Sequence, residues 1–147
     1  MRALVYTGTF ATRYQNEPAP VVGTDESLID ISFCGICGSD MHAWHGHDER
    51  RVPPLVLGHE AVGRVVEGPH QGQLVAINPL MTCGHCSFCL SGNTHLCGKR
   101  EMIGMKRPGG FAEQLSIESY NLHLLHGNAE LHDIALTEPL ACSVHAV

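Results

Sequence analysis

Four cysteines near the middle of the chain constrain its fold more than any other feature. Cys83, Cys86, Cys89 and Cys97 follow the spacing C-x2-C-x2-C-x7-C. Four thiolates this close in sequence can surround one Zn2+ at about 2.3 Å in a closed tetrahedral shell, which is typical of a structural zinc. The surrounding segment, about residues 80–100, has few apolar side chains, so metal binding is expected to order it. We therefore predict a zinc-binding lobe in this part of the chain.

Two other interpretations of the four cysteines stay open at this point. They could be free or redox-active thiols, or they could hold an iron–sulfur cluster. His85 and His95 lie among them and are interpreted as solvated loop residues, because four sulfurs already complete a metal shell. Cys34 and Cys142, outside this segment, are interpreted as small buried apolar residues.

The composition excludes several classes of function. The chain of 147 residues is 44% apolar and 16% charged, with a formal net charge of −6, so it is globular and lacks the basic surface that nucleic acids require. It contains no apolar run long enough to span a membrane, and its N-terminus has no signal peptide. We therefore expect a cytoplasmic protein without a nucleic-acid or membrane partner. In that reducing compartment, cysteines serve metal binding or catalysis rather than disulfides.

Short strands bounded by glycine and proline dominate the predicted secondary structure. Strands are expected at residues 4–6, 27–33, 61–66, 74–77 and 111–117. Gly63, inside the third strand, predicts a β-bulge or a close backbone approach. A helix is predicted at the C-terminal end, with Thr137 or Glu138 as its cap and Pro139 in its first turn. The chain is thus expected to form one mainly β domain, residues 1–147, with a few short helices.

A second metal site is predicted from residues that lie far apart in sequence. The segment CGICGSDMH carries Cys37, and the segment GHE carries His59 beside Glu60. A catalytic zinc takes three protein ligands of mixed type and keeps one open position. Because adjacent residues of an extended segment point to opposite faces, Glu60 is expected to support the site or to bind transiently. Glu138 is then expected to be the third ligand, although it could serve only as a carboxylate at a helix start.

Five segments of the sequence occur together in a characteristic order. They are GICGSDMH, PPLVLGHEAVGRVVE, VAINPLMTCGHCSFCLSGNTHLC, GGFAE and TEPLACSVHAV. Together they resemble the medium-chain zinc-dependent alcohol dehydrogenases, in the polyol and threonine dehydrogenase branch. The resemblance implies a GroES-like fold, a partly open β-barrel that forms the catalytic domain. It also implies catalytic zinc ligands at Cys37 and His59, an adjacent and sometimes ligating Glu60, a glutamate at 138, and a structural zinc on the four clustered cysteines.

The resemblance also implies a reaction. An alcohol or polyol would be oxidised to a ketone or aldehyde, with hydride passing to NAD+ or NADP+ and zinc acting as a Lewis acid. Ser39 would contact the substrate hydroxyl and begin proton release. His42 would continue that relay, or it is a plain surface histidine. Glu60 would assist as the neighbouring carboxylate, and Trp44 falls in the region that lines the substrate pocket.

The nucleotide-binding domain of that family is not represented in this sequence. No G-x-G-x-x-G motif occurs in the 147 residues. Without a hydride acceptor held in place, the chain alone is expected to have little or no turnover, and NAD or NADP would belong to a full-length parent enzyme. A truncated enzyme subunit is the simplest hypothesis, with self-association into a homo-oligomer through uncovered apolar surface. The alternative, from a different class of function, is a non-catalytic zinc-stabilised binding module.

Overall fold

The structure, a computed structural model, describes residues 1–126 and 130–147. Ten strands occur in these residues: β1 (Arg2–Gly8), β2 (Ala11–Asn16), β3 (Glu26–Gly35), β4 (Leu55–Val56), β5 (Glu60–Glu67), β6 (Leu74–Ile77), β7 (Leu80–Met81), β8 (Glu101–Met102), β9 (Gln114–Glu118) and β10 (Leu122–Leu124). The α-helices are α1 (Gly38–Trp44), α2 (Ser87–Leu90), α3 (Leu131–Ile134) and α4 (Thr137–His145). Within the described ranges, none of these helices is long and apolar enough to cross a bilayer.

The strands pair into three antiparallel sheets. The largest has five strands in the order β10-β6-β5-β3-β9, the second has the order β2-β1-β4, and β7 and β8 form a small third sheet. The expected mainly β architecture with a few short helices is confirmed. The long strands β3 and β5 are neighbours inside the largest sheet, and each is hydrogen-bonded to a strand on both sides.

The main core lies against the five-stranded sheet. Ile29, Val65, Val75 and Ile117 are at most 1% exposed and belong to one apolar cluster. Strand β5 is buried over its first four residues, since both of its faces are covered. Burial of these apolar side chains stabilises β5, and with it the start of the strand, where the loop of residues 57–59 joins it.

Gly63 of β5 lies opposite a bulge of β3. Along this pairing β3 advances by two residues, from Ile31 to Phe33, while β5 advances by one. A Cβ atom at Gly63 would collide with the backbone carbonyl of Asp30. Both the bulge and the close backbone approach expected at Gly63 are therefore present.

A smaller apolar cluster anchors the first helix. Tyr6, Ala43 and Leu57 are buried together, and Trp44 and Phe111 pack against them. Helix α1 is thus held through its C-terminal residues against the three-stranded sheet. Its N-terminal end is left at the edge of the central strands.

Two details of the predicted secondary structure are wrong. The strand expected at 111–117 begins only at Gln114, because Phe111 donates its N–H to Leu57 and accepts from Leu4, which links this segment to the second sheet. Helix α4 begins where it was expected, but its cap is Leu136. The Thr137 hydroxyl instead donates to a carbonyl of the preceding turn, at 2.6 Å.

Candidate functional site

The first candidate metal centre is formed by three residues from two separate segments. One ligand atom each from Cys37, His59 and Glu60 lies within 4.8 Å of the other two. Cys37 is half-buried, whereas His59 and Glu60 are buried. A thiol, an imidazole and a carboxylate that meet in this way form the mixed donor set of a catalytic zinc site.

The pairing of the two central strands brings these residues together. Gly35, at the end of β3, pairs with Glu60, at the start of β5, and Cys37 follows two residues later. A Cβ atom at Gly35 would collide with the Glu60 carboxylate. The Glu60 carboxylate therefore fills the space where the side chain of any other residue at position 35 would begin.

The expectation that His59 and Glu60 point in opposite directions is wrong. Strand β5 begins at Glu60, so His59 belongs to the preceding loop, where the alternation of an extended strand does not apply. Gly58, with φ of 91°, turns the backbone just before this pair. A Cβ atom at Gly58 would lie 2.6 Å from the Phe111 ring, so this turn also requires glycine.

Asp40 supports this cluster and was not identified from the sequence. Its carboxylate is 3% exposed and accepts hydrogen bonds from the N–H of Cys37 at 3.0 Å and of Gly58 at 3.3 Å. Its Oδ1 also lies 3.5 Å from Nδ1 of His59, a buried atom with no other hydrogen-bond partner in residues 1–126 and 130–147. Cys37 is the N-cap of α1, and Asp40 is the third residue after it, where an acidic side chain often accepts from the backbone of the N-cap. This spacing could have indicated Asp40 from the sequence.

Asp40 and His59 each shift the pKa of the other. Burial lowers the pKa of His59, but the hydrogen bond and charge of Asp40, followed by those of Cys37, outweigh burial and raise it to about 9. Burial raises the pKa of Asp40, but His59 and the two backbone N–H groups outweigh it and give a net lowering. Asp40 therefore stays ionised and orients the imidazole, as carboxylates beside metal-ligating histidines commonly do.

The two predicted proton-relay residues lie on α1 beside this cluster. The Oγ atom of Ser39 is 3.5 Å from Nε2 of His59. His42 is exposed, one helical turn farther along the same helix. Both line a polar cleft of about 590 Å³, whose other lining residues are Gly38, His47, Asp48, Glu49 and Arg50. The fold thus places Ser39 at the cluster and His42 towards the surface.

Glu138 lies near the cluster but outside the group of three ligand atoms. It occupies the first turn of α4 and lines a mostly apolar cavity of about 530 Å³. Burial raises the pKa of Glu60, and the charge of Glu138 adds to that rise against the opposing effect of His59. Glu60, expected to support the site or to bind transiently, is the carboxylate that lies with Cys37 and His59, and the role of Glu138 as third ligand stays a prediction. Cys142, expected to be buried, is exposed, with its sulfur 3.5 Å from the Glu138 carboxylate.

The second candidate metal centre is the four-cysteine lobe. The four sulfurs lie within 4.8 Å of one another. The separations are 3.6 Å for Cys97 to Cys83, 3.5 Å for Cys86 to Cys89 and 3.9 Å for Cys83 to Cys89. A tetrahedron with zinc–sulfur bonds of about 2.3 Å has edges of about 3.8 Å. These sulfurs therefore fit a closed zinc site.

The pKa values of two thiols in the lobe are shifted in opposite directions. The N–H of His85, followed by that of Cys86, lowers the pKa of Cys83 to about 6. Burial and the neighbouring thiols raise the pKa of Cys89 to about 11. Metal binding would ionise all four thiols, so zinc affinity should depend on pH. His85 and His95 are exposed and outside the sulfur group, as the sequence indicated.

Cys34 and Trp44 were also named from the sequence, and both lie in apolar surroundings. Cys34 is the penultimate residue of β3, and burial raises the pKa of its thiol to about 12. It packs against the main core, in agreement with its interpretation as a small apolar residue. Trp44, with Tyr6 and Met41, lines an apolar cavity of about 190 Å³ that also includes Asp40.

Comparison with known proteins identifies relatives along the whole chain. The sequence profile of the alcohol dehydrogenase GroES-like domain matches residues 23–127. A sorbitol dehydrogenase of Halalkalibacterium halodurans is 36% identical over 156 aligned positions, which cover 100% of this chain. The crystal structure of galactitol-1-phosphate dehydrogenase from Escherichia coli superimposes with a TM-score of 0.92 at 31% identity, covering 99% of the chain. A chain from Sinorhizobium meliloti 1021, described as a zinc-binding dehydrogenase and solved with NADP, gives a TM-score of 0.88 at 33% identity over 98% of the chain.

The chain spans less than half of these relatives. It covers 45% of the sorbitol dehydrogenase and 44% of each of the two solved chains. The similarity therefore concerns one portion of each relative.

Proposed function

We infer the function of this chain from its family: it belongs to the medium-chain zinc-dependent alcohol dehydrogenases, and it forms their GroES-like N-terminal portion. We propose that it carries the catalytic metal centre of an NAD(P)-dependent alcohol or polyol dehydrogenase. The observation that carries this proposal is the meeting of Cys37, His59 and Glu60 within 4.8 Å, next to Ser39.

The donor set at this centre fits zinc. A thiolate, an imidazole and a carboxylate leave room for a fourth ligand, as catalytic zinc sites do. The buried Nδ1 of His59 faces Asp40, which leaves Nε2 to bind the metal. When bound, zinc would supply Lewis acidity towards an alcohol oxygen, and NAD or NADP would accept hydride.

The residues around the centre have distinct roles in this proposal. Asp40 holds the imidazole of His59 in one orientation. Ser39 hydrogen-bonds the substrate hydroxyl and takes part in proton release, and the exposed His42 passes the proton to solvent. Glu138 is a second nearby carboxylate that would be available to hold the metal.

The four-cysteine lobe holds a second zinc in this proposal. Its sulfur separations match a closed tetrahedral site that has no position for substrate. The lobe is therefore a structural element, and its zinc takes no part in the reaction.

The substrate is proposed to be a polyol or a related alcohol, in line with the sorbitol and galactitol-1-phosphate dehydrogenases that the chain resembles. Hydride transfer also requires a nucleotide-binding domain. We therefore expect little or no turnover from this chain alone when it is assayed with polyols and NAD+ or NADP+. A cytoplasmic location and self-association stay predictions.

Cobalt substitution tests the proposed function directly. The chain is prepared anaerobically with Co2+ in place of zinc and titrated with sorbitol while the visible absorption of the cobalt is recorded. We expect two cobalt ions per chain and a spectral change that saturates with sorbitol. Cys37→Ser should lose one ion and the response to sorbitol. A single all-sulfur cobalt site with no response would favour the non-catalytic zinc-stabilised module instead.

A further inference from the structure

Arg51 is a buried cation that contacts the candidate relay serine. The residue is 2% exposed. Its Nε donates to the carbonyl of Gly104 at 2.8 Å, its Nη1 pairs with the Asp48 carboxylate, and its Nη2 donates to Oγ of Ser39 at 3.2 Å. Each of the three guanidinium nitrogens thus has a different partner, which fixes the plane of the group.

The contact with Arg51 determines how Ser39 can use its hydroxyl. A guanidinium has five N–H donors and no acceptor, so the serine oxygen must accept this hydrogen bond. The proton of Ser39 is then free to point elsewhere. The other polar neighbour of this oxygen is Nε2 of His59, at 3.5 Å, on the side of the metal centre. A substrate oxygen at the proposed metal would lie on that side, where the proton of Ser39 can reach it.

We propose that Arg51 is a positioning residue: it holds the Ser39 oxygen so that, once the substrate proton has been released through Ser39, the serine hydroxyl donates a hydrogen bond to the substrate oxygen. This inference rests on the proposed function of the same site. Because Arg51 is buried, water does not compete for its contact with Ser39. Arginine suits the task better than lysine, since its planar fork reaches three acceptors at once.

The neighbouring arginine provides a matched control. Arg50 pairs with the same carboxylate of Asp48, at 2.8 Å from Nε and 3.0 Å from Nη2. Its side chain is 68% exposed, and its hydrogen bonds within the described residues go to Asp48 rather than to Ser39. Removal of Arg50 therefore perturbs the same ion-pair cluster without changing the serine contact.

The experiment is a double-mutant cycle read through ligand affinity. Sorbitol is titrated into the cobalt-loaded full chain and into its Arg51→Met, Arg51→Lys, Ser39→Ala and combined variants, and the dissociation constant is taken from the cobalt absorption. Loss of one hydrogen bond should weaken binding about three- to tenfold in Arg51→Met and in Ser39→Ala. In the Ser39→Ala background, Arg51→Met should cause no further loss. Arg51→Lys should fall between the parent and Arg51→Met, and Arg50→Met should stay within about twofold of the parent.

The outcomes separate this inference from the proposed function. An equal loss from Arg51→Met with and without Ser39 would show a purely structural role for Arg51 and overturn the inference. Unchanged affinity in Arg51→Met would overturn it as well. A parent chain that does not respond to sorbitol would refute the proposed function and this inference with it. If thermal melting shows that Arg51→Met does not fold, the same cycle is decided with Arg51→Lys.

Discussion

The two candidate metal centres of this molecule are built in opposite ways. The four-cysteine lobe takes its ligands from one stretch, residues 83–97, and the separations of its sulfurs follow from local turns. The other centre joins Cys37 to His59 and Glu60 through the pairing of β3 with β5. In our proposal a metal would therefore organise the lobe, whereas the folded core already organises the second centre.

This difference predicts opposite responses to loss of a ligand. Removing metal from the lobe should unfold it locally, because little else holds those residues in place. Removing metal from the Cys37 centre should leave the fold intact, because Ile29, Val65 and their neighbours hold the strands together. The predictions below test this contrast, beginning with the largest effect.

The largest effect is expected from Cys97→Ser. Cys97 is fully buried in the lobe, and a structural zinc site contributes on the order of 10 kcal/mol of binding free energy. The variant should lose one zinc per chain and several kcal/mol of the free energy of unfolding. Metal analysis and thermal unfolding measure both quantities. Cys142→Ser is the matched control because Cys142 is exposed and outside both centres. A stable Cys97→Ser variant with full zinc content would contradict the structural role of the lobe.

The next effect is expected from Gly35→Ala. Its Cβ would displace the Glu60 carboxylate, so metal affinity at the Cys37 centre should fall by about a hundredfold or more while the lobe keeps its zinc. Competition with a chelator measures each affinity. Gly38→Ala serves as the control, since a Cβ there meets no atom within 4 Å. Equal affinities in the two variants would show that Glu60 is not a ligand.

A smaller loss is expected from Asp40→Asn. The amide still fills the space but no longer carries the charge that orients His59, so metal affinity at the Cys37 centre should fall about 10- to 100-fold. The same chelator competition measures it. If the metal affinity of the lobe falls by the same factor, Asp40 acts on the fold as a whole and not on the Cys37 centre.

The smallest effect concerns Asp48 and pH. Hydrogen bonds from Arg50, followed by those from Arg51, lower the pKa of Asp48 to about 2, against about 3.9 in an unfolded chain. A lowered folded-state pKa stabilises the fold above the unfolded value, and this contribution disappears as pH falls from about 4 to about 2. Asp48→Asn should therefore lower the free energy of unfolding at pH 7 by about 1–2 kcal/mol and flatten its pH dependence in that window. Denaturant titrations at several pH values measure this, with Glu49→Gln as the control. If the free energy of unfolding of Asp48→Asn depends on pH as strongly as that of the parent, Asp48 is not the group responsible for this pH dependence.

The contrast between the centres also explains what could be predicted from the sequence. The lobe was identified from spacing alone, because its ligands are neighbours along the chain. The meeting of Glu60 with Cys37 and His59 was not, because it depends on where β5 begins. That boundary is set by pairing with Gly35, a contact that sequence periodicity does not reveal.

Other omissions have comparable physical causes. Helix α1 was missed because it has only seven residues and begins with glycine, serine and aspartate, which are weak helix formers. Strand β2 was missed because it is an edge strand whose side chains are mostly exposed, so it lacks the alternation of a half-buried strand. Arg51 was missed because nothing in the sequence separates it from Arg50; only folding buries one and leaves the other in solvent.

The central claim is that Cys37, His59 and Glu60 hold a metal ion of their own. The most direct test is the number of zinc ions bound per chain by the anaerobically prepared parent and by Cys37→Ser. We predict two for the parent and one for the variant, with the variant keeping the zinc of the four-cysteine lobe. A parent that binds one zinc, or a Cys37→Ser variant that still binds two, would contradict the account.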